Sequence, residues 1–256
     1  MIIFGRNAII EALRAGREFE KVFVAHDSAM PVEILRLCKE RGIKLQRVSR
    51  KKVEELAGVK KTQGVVAILS EVDYVSSQEL FDEVFKRDGF FLVLDHLSDP
   101  QNVGNLLRTC EAFGGVGALL PKDRACPINQ TVVKASSGAI FHLRLSKVSN
   151  LHLALREFKK LGGWVFALDM QGKSLKEASL VLPCALIVGN EGQGVSKLLL
   201  ELSDGIFSIP MSGKVESLNA SSAGAIGMWE LIRRAPPGGG AKQLGEGGGG
   251  SFSTNS

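Results

Sequence analysis

Five consecutive apolar residues followed by a carboxylate, Phe90-Phe91-Leu92-Val93-Leu94-Asp95, open a stretch in which similar runs return at 117–120, 141–145, 164–168, 184–188 and 205–209. Unbroken apolar runs of this length, without alternating polar positions, fit strands covered on both faces. Segments with helical spacing lie between most of them, at 103–113, 151–161, 195–202 and 218–232. Buried strands alternating with helices commit a chain to an α/β fold with a parallel sheet between helical layers. In such sheets ligands bind beyond the carboxyl ends of the strands. The loops after Leu94, Val188 and Ile209 are therefore the places where a site is expected.

The first 70 residues alternate on a smaller scale. Helical spacing at 7–14 (Ile9, Ile10, Leu13) precedes a strand at 21–25. Pro31 opens a helix carrying Ile34, Leu35 and Leu37, and Gly42 ends it. A strand at 44–48, a short basic helix at 50–56 and a strand at 63–69 complete a compact α/β unit. Residues 71–88 are polar and charged, with one helical stretch at 78–87, and read as a linker to a second domain at 89–234. Residues 235–256 hold eight glycines and two prolines. Such a segment buries too little surface to order itself, and a flexible Gly-rich tail with no role in the fold is expected.

Charge is unevenly shared. Residues 1–70 carry fourteen Lys and Arg against eight Asp and Glu, and the remainder eighteen against nineteen. A basic unit beside a neutral one suits a polyanion-binding module joined to something else, although a solvated basic face without a partner has the same count. The four cysteines, Cys38, Cys110, Cys126 and Cys184, form no CxxC pair and read as reduced thiols of a cytoplasmic protein, not a metal site. No apolar run approaches the roughly 20 residues that span a bilayer. The start lacks the basic head and apolar stretch of a signal peptide. Neither a membrane nor a metal partner is expected.

Three segments stand out for chemistry. In the first, residues 95–114, a strand ends, Asp99-Pro100 turns the chain, and a helix begins near Asn102 with Arg108 near its middle. Six residues apart, Asn102 and Arg108 share no obvious face. Taken alone they read as a helix cap and a surface arginine. The second, Val188-Gly189-Asn190-Glu191-Gly192-Gln193-Gly194-Val195, leads from a buried strand into a helix, and its glycines let backbone approach a ligand. It has neither the glycine order of a dinucleotide fold nor the lysine of a P-loop, and taken alone it reads as a plain glycine-rich strand-to-helix turn. The third, residues 209–225, passes from a strand through a short loop into a helix of small residues near Asn219. Close packing at a core or a subunit contact accounts for that helix.

Taken together and in order, D-x-x-x-DPxNxGxxxRTxExFG, GNEGxG and IPMxGxVESLNxSxAxA resemble the signature motifs of the SpoU (TrmH-like) class of the SPOUT superfamily. Val133-Lys134-Ala135-Ser136-Ser137-Gly138-Ala139, between the first two, resembles a further segment of that class. The amino-terminal cues Gly5-Arg6-Asn7-Ala8 and Thr62-Gln63-Gly64-Val65 are similar to an L30e-like RNA substrate-binding domain found in one subgroup, which includes bacterial 23S rRNA guanosine 2′-O-methyltransferases.

The resemblance implies a fold, an activity and a site. The fold is an L30e-like α/β domain followed by an α/β knot domain with a deep trefoil knot, a topology that periodicity cannot reveal. The activity is methyl transfer from S-adenosylmethionine to a ribose 2′-hydroxyl of RNA, foremost a guanosine of 23S rRNA. A tRNA ribose methyltransferase and a non-catalytic RNA-binding paralogue are the other readings. The resemblance places Gly189, Asn190, Ile209, Met211, Leu218 and Ala223 at the cofactor. It nominates Arg108 for catalysis, with Asn102, Glu191, Ser217 and Asn219 around it. A guanidinium stays charged in proteins, so Arg108 would act as a cation stabilising alkoxide charge on the 2′-oxygen. A homodimer with a shared site is also implied, and the small-residue helix fits a close subunit contact.

Overall fold

The computed structural model describes residues 1–29, 31–215 and 217–234. The Gly-rich segment 235–256, expected to be a flexible tail, lies outside the described residues.

The first unit runs β1 (Ile2–Phe4), α1 (Arg6–Arg14), β2 (Phe19–Ala25), α2 (Val32–Glu40), β3 (Leu45–Val48), α3 (Arg50–Ala57) and β4 (Val65–Leu69). Its sheet has the order β1-β4-β2-β3, with β4 antiparallel to both neighbours and β3 parallel to β2. Local chemistry sets the boundaries. The Ser49 side chain accepts the Lys52 N–H at the start of α3, and Gly58, in the left-handed region, closes it. Helix α1 buries Ala8, Ile9, Ala12 and Leu13 along one stripe. Strand β1 is absent from the sequence reading because three residues carry no usable period; its pairing with β4 defines it.

The second unit comprises β5 (Tyr74–Val75), α4 (Ser77–Arg87), β6 (Phe90–Asp95), α5 (Pro100–Ala112), β7 (Gly117–Pro121), α6 (Gln130–Ala135), β8 (Arg144–Val148), α7 (Leu151–Lys160), β9 (Trp164–Ser174), β10 (Cys184–Gly189), α8 (Lys197–Leu202), β11 (Gly205–Ser208) and α9 (Ala220–Arg234). Its seven strands, ordered β11-β9-β10-β6-β7-β8-β5, are all parallel to their neighbours. Every residue of β6 is buried, as its unbroken apolar run requires. Among the described residues no helix is long and apolar enough to cross a membrane.

Several expectations change. Residues 71–88 do more than link: β5 pairs with β8 at the sheet edge, and α4, opened by a Ser76/Glu79 capping box, buries Leu80, Phe81 and Val84. The Phe81 ring lies 5.6 Å from Phe91 and 5.1 Å from Phe158. The charged residues of this stretch mask its apolar face. Where a strand was expected at 141–145, Gly138 (φ 88) leads into a 3-10 turn, Ala139–His142, and β8 begins only at Arg144. Helix α8 starts at Lys197, not 195, because the Val195 and Ser196 amides are held by Asp169 and Asp95.

The two units share one hydrophobic cluster: Ile9 and Leu13 of α1 join Leu107 of α5, Val133 of α6 and Ile140.

Candidate active site

The carboxyl ends of β10 and β11 and the middle of β9, at 168–171, surround an open cleft of about 430 Å3. One wall is the loop after β10, folded back so that Asn190 and Gly194 exchange backbone hydrogen bonds of 3.1 and 2.8 Å. A methyl group at Gly189 would overlap the Gly194 backbone. This glycine therefore admits the loop's own return strand, a constraint that a ligand-only account of the motif misses. The Asn190 side chain pins the loop, accepting the Gly192 N–H at 2.9 Å and donating to the His96 carbonyl at 3.2 Å. Asp95, buried at the end of β6, accepts the Ser196 N–H at 2.7 Å where the loop leaves for α8.

Gly189, Asn190, Ile209, Met211, Leu218 and Ala223 all line the cleft, as do Glu191 and Ser217. Asn102 and Asn219 sit behind it. Asp99, whose side chain accepts the Gln101 N–H at 2.9 Å, and Pro100 start α5 so that Asn102 falls on its inner face, 5% exposed. The Asn102 carboxamide donates to Glu191 Oε1 and accepts from Asn219 Nδ2 at 2.8 Å. Asn219 Oδ1 caps α9, accepting the Ser221 N–H at 2.9 Å. One side chain thus joins the start of α5, the glycine loop and the start of α9.

Arg108 is not brought to this cleft. It lies exposed on the outer side of α5, and among the described residues its guanidinium makes no hydrogen bond or ion pair. The six-residue spacing from Asn102 puts the two on different faces.

Asp169 is a site residue that sequence reasoning missed. It follows the apolar part of β9, lines the cleft, and accepts the Val195 N–H at 3.2 Å and the Gln171 N–H at 3.1 Å. A carboxylate closing the run 164–168, as Asp95 closes β6, was the available signal. Burial pushes the Cys110 and Cys184 thiols up, so neither supplies a thiolate here. Among the described residues no group of three or more His, Cys, Asp or Glu is placed to hold a metal ion.

Residues 89–229 match the SpoU rRNA Methylase family, and residues 2–75 match the family described as RNA 2′-O ribose methyltransferase substrate binding. The chain belongs to the SpoU methyltransferase family. A protein of Bacillus subtilis (strain 168) named as a TrmH family tRNA/rRNA methyltransferase, YacO, is 37% identical over 92% of this chain and 96% of its own. The SpoU methyltransferase AviRb of Streptomyces viridochromogenes, solved with AdoMet, superposes with a TM-score of 0.76 at 21% identity, covering 91% of this chain and 89% of that one. A solved RNA 2′-O ribose methyltransferase superposes with a TM-score of 0.73 at 26% identity, over 91% and 88%.

The chain is accordingly a member of a family of RNA methyltransferases, and it shares the α/β fold of AviRb, a protein solved with AdoMet. The cleft fits that cofactor chemically. Its wall is apolar where Leu168, Val188, Ile209, Leu218 and Ala223 face it, and it carries two carboxylates, Asp169 and Glu191. Apolar surface suits an adenine ring and a thioether chain, and carboxylates suit hydroxyl donors and positive charge.

Proposed function

We propose that this enzyme methylates a ribose 2′-hydroxyl in 23S rRNA, at a guanosine, and that it works as a homodimer. The match of residues 2–75 to a ribose 2′-O-methyltransferase substrate-binding family carries the choice of atom. The family name supports rRNA, and the name of the Bacillus relative, which covers tRNA and rRNA, keeps tRNA as a second reading.

When bound, S-adenosylmethionine supplies an electrophilic methyl group, so the chain must position and polarise a weakly acidic hydroxyl. Gly189, Asn190, Ile209, Met211, Leu218 and Ala223 would hold the cofactor, largely through backbone and apolar contact. Asn102 and Asn219 are positioning residues: their hydrogen bonds hold Glu191 at the rim and anchor the first turn of α9. Ser217, on the cleft wall, is assigned to the substrate side. Arg108, exposed and away from its own chain's cleft, is assigned to the cleft of the second copy. There a permanent cation would bind a phosphate and stabilise alkoxide charge on the 2′-oxygen. A requirement for the 2′-hydroxyl excludes DNA.

Lys44, Arg47, Lys51, Lys60 and Lys61 give the first unit an exposed positive face around β3 and α3, without ion pairs among the described residues. That face suits a phosphate backbone. Mapping 2′-O-methyl positions in rRNA and tRNA from cells with and without the gene tests the proposal. Loss of one mark in 23S rRNA is expected; loss confined to tRNA replaces the substrate assignment.

A further inference from the structure

Residues 133–139 resemble a segment of the family, yet none of them lines the cleft. They touch the first unit instead. Lys134 Nζ lies 5.0 Å from the centroid of the Phe4 ring at the end of β1. Gly138 has φ 88, and a methyl group there would sit 2.7 Å from Glu11 Cβ and 3.1 Å from Ala8 Cα. Helix α1 therefore rests directly on the backbone at this glycine. Just beyond, His142 Nε2 is 2.8 Å from Glu11 Oε2, and Glu11 also pairs with Arg14 at 2.7 Å. Arg17, after α1, pairs with Asp73 at 2.5 Å, donates to the Glu71 carbonyl, and stands 6.0 Å from the Phe141 ring centroid.

On its opposite side the segment is seated on α5. A methyl group at Gly104 would overlap Ala135 Cβ. Helix α5 carries both Asn102 and Arg108. Continuous packing thus runs from α1 through residues 134–142 to the helix that holds the candidate catalytic groups. The contacts combine a shared apolar core, a backbone-to-helix approach that admits only glycine, a polar tie between His142 and Glu11 toward the carboxyl end of α1, and the Lys134 ammonium over the Phe4 ring that precedes it. A loosely tethered module needs none of these.

We propose that residues 134–142 are a positioning element for methyl transfer, holding the RNA-binding unit at one register to the cleft so that anchored RNA presents its target there. The inference rests on the reading that residues 1–70 hold the RNA. Gly138, His142 and Glu11 touch no reacting atom; they act through the placement of substrate. Displacing a bound reactant by about 1 Å costs on the order of 100-fold in rate, with binding left intact.

The test uses the full chain and three variants: Gly138→Val, Glu11→Lys, and Glu11→Gln, which keeps a hydrogen-bonding oxygen opposite His142. Substrates are the separated rRNA and tRNA fractions of a strain lacking the gene, with transfer of a tritiated methyl group counted. Cofactor affinity by calorimetry, RNA affinity by fluorescence anisotropy and melting by circular dichroism accompany each rate. Gly138→Val and Glu11→Lys should bind cofactor and RNA like the wild type, yet lose about 100-fold in kcat, while Glu11→Gln stays near wild type. Wild-type kcat in Gly138→Val overturns the proposal. So does a rate loss matched by lost cofactor affinity, which means damage to the cleft, or by lost RNA affinity, which makes the junction an RNA contact. Should Gly138→Val not fold, Glu11→Lys on the half-buried rim of α1 decides alone. A wild-type chain that methylates neither fraction defeats the functional reading, whereas unaltered turnover of Gly138→Val on RNA that the wild type methylates defeats only the junction.

Discussion

Asn102 occupies a place where a single carboxamide must satisfy two partners, donating to Glu191 and accepting from Asn219. Neither aspartate nor leucine could do both, since a carboxylate lacks the donor and leucine lacks either group. Arg108, six residues on, has the opposite character, an exposed cation without a partner among the described residues. The two should fail differently. Arg108→Ala is expected to leave cofactor affinity near normal and to lower methyl transfer by 100-fold or more, roughly 3 kcal/mol of transition-state stabilisation. Calorimetry and single-turnover rates on the same preparation check this. Near-wild-type turnover would remove Arg108 from the mechanism.

The small residues of helix α9 fit a core or a subunit contact, and its two glycines face the core. A methyl group at Gly224 would overlap Leu106, and one at Gly227 would lie 2.5 Å from Leu168 Cδ1. These glycines let α9 lie tightly on α5 and on the sheet behind the cleft. The outer face carries Trp229, 53% exposed and 6.0 Å from the Phe113 ring centroid, together with Ile226. If a second copy docks here, it meets the large residues. Gly227→Val should therefore destabilise the chain by about 1–3 kcal/mol through overpacking, visible as a lower Tm at any protein concentration. Trp229→Glu should leave the fold intact and weaken self-association in sedimentation. The reverse pattern would return the small-residue stripe to the interface.

At the scale of the molecule, the excess positive charge lies in the first unit, as its proposed role in holding RNA requires. RNA affinity should fall steeply with salt, because phosphate contacts release counterions. Replacing Lys60 and Lys61 by Glu should flatten the log–log slope by about 2, one per lost phosphate contact; an unchanged slope would place the RNA elsewhere. The dimer has its own test. In a mixture of Arg108→Ala and Asn219→Ala chains, a site built from both copies leaves one site of each hybrid without a defect. Activity up to about half of wild type per hybrid follows from the symmetry. If Arg108 serves its own chain, every hybrid site is defective and mixing restores nothing.

Much of this was legible in residue order. The apolar runs ending at Leu94 and Val188 imposed buried parallel strands, and every cofactor-site residue named from the motifs lies on the one cleft. Strand ends were legible locally because glycines and caps dictate the turns there, whereas the assignment of those residues to a cofactor came from the family resemblance. Three things were decided only by tertiary structure. Asp169 faces the cleft because β9 lies beside β10: the carboxylate after 164–168 marks the end of an apolar run, but only the pairing decides which loop it meets. The stretch 71–88 joined the second sheet because Leu80, Phe81 and Val84 find Phe91 and Phe158, far away in sequence. Gly138 matters because α1 comes to rest on it. Local sequence sets which conformations each segment can adopt, but which distant surface covers a given face depends on contacts that form only when the whole chain packs.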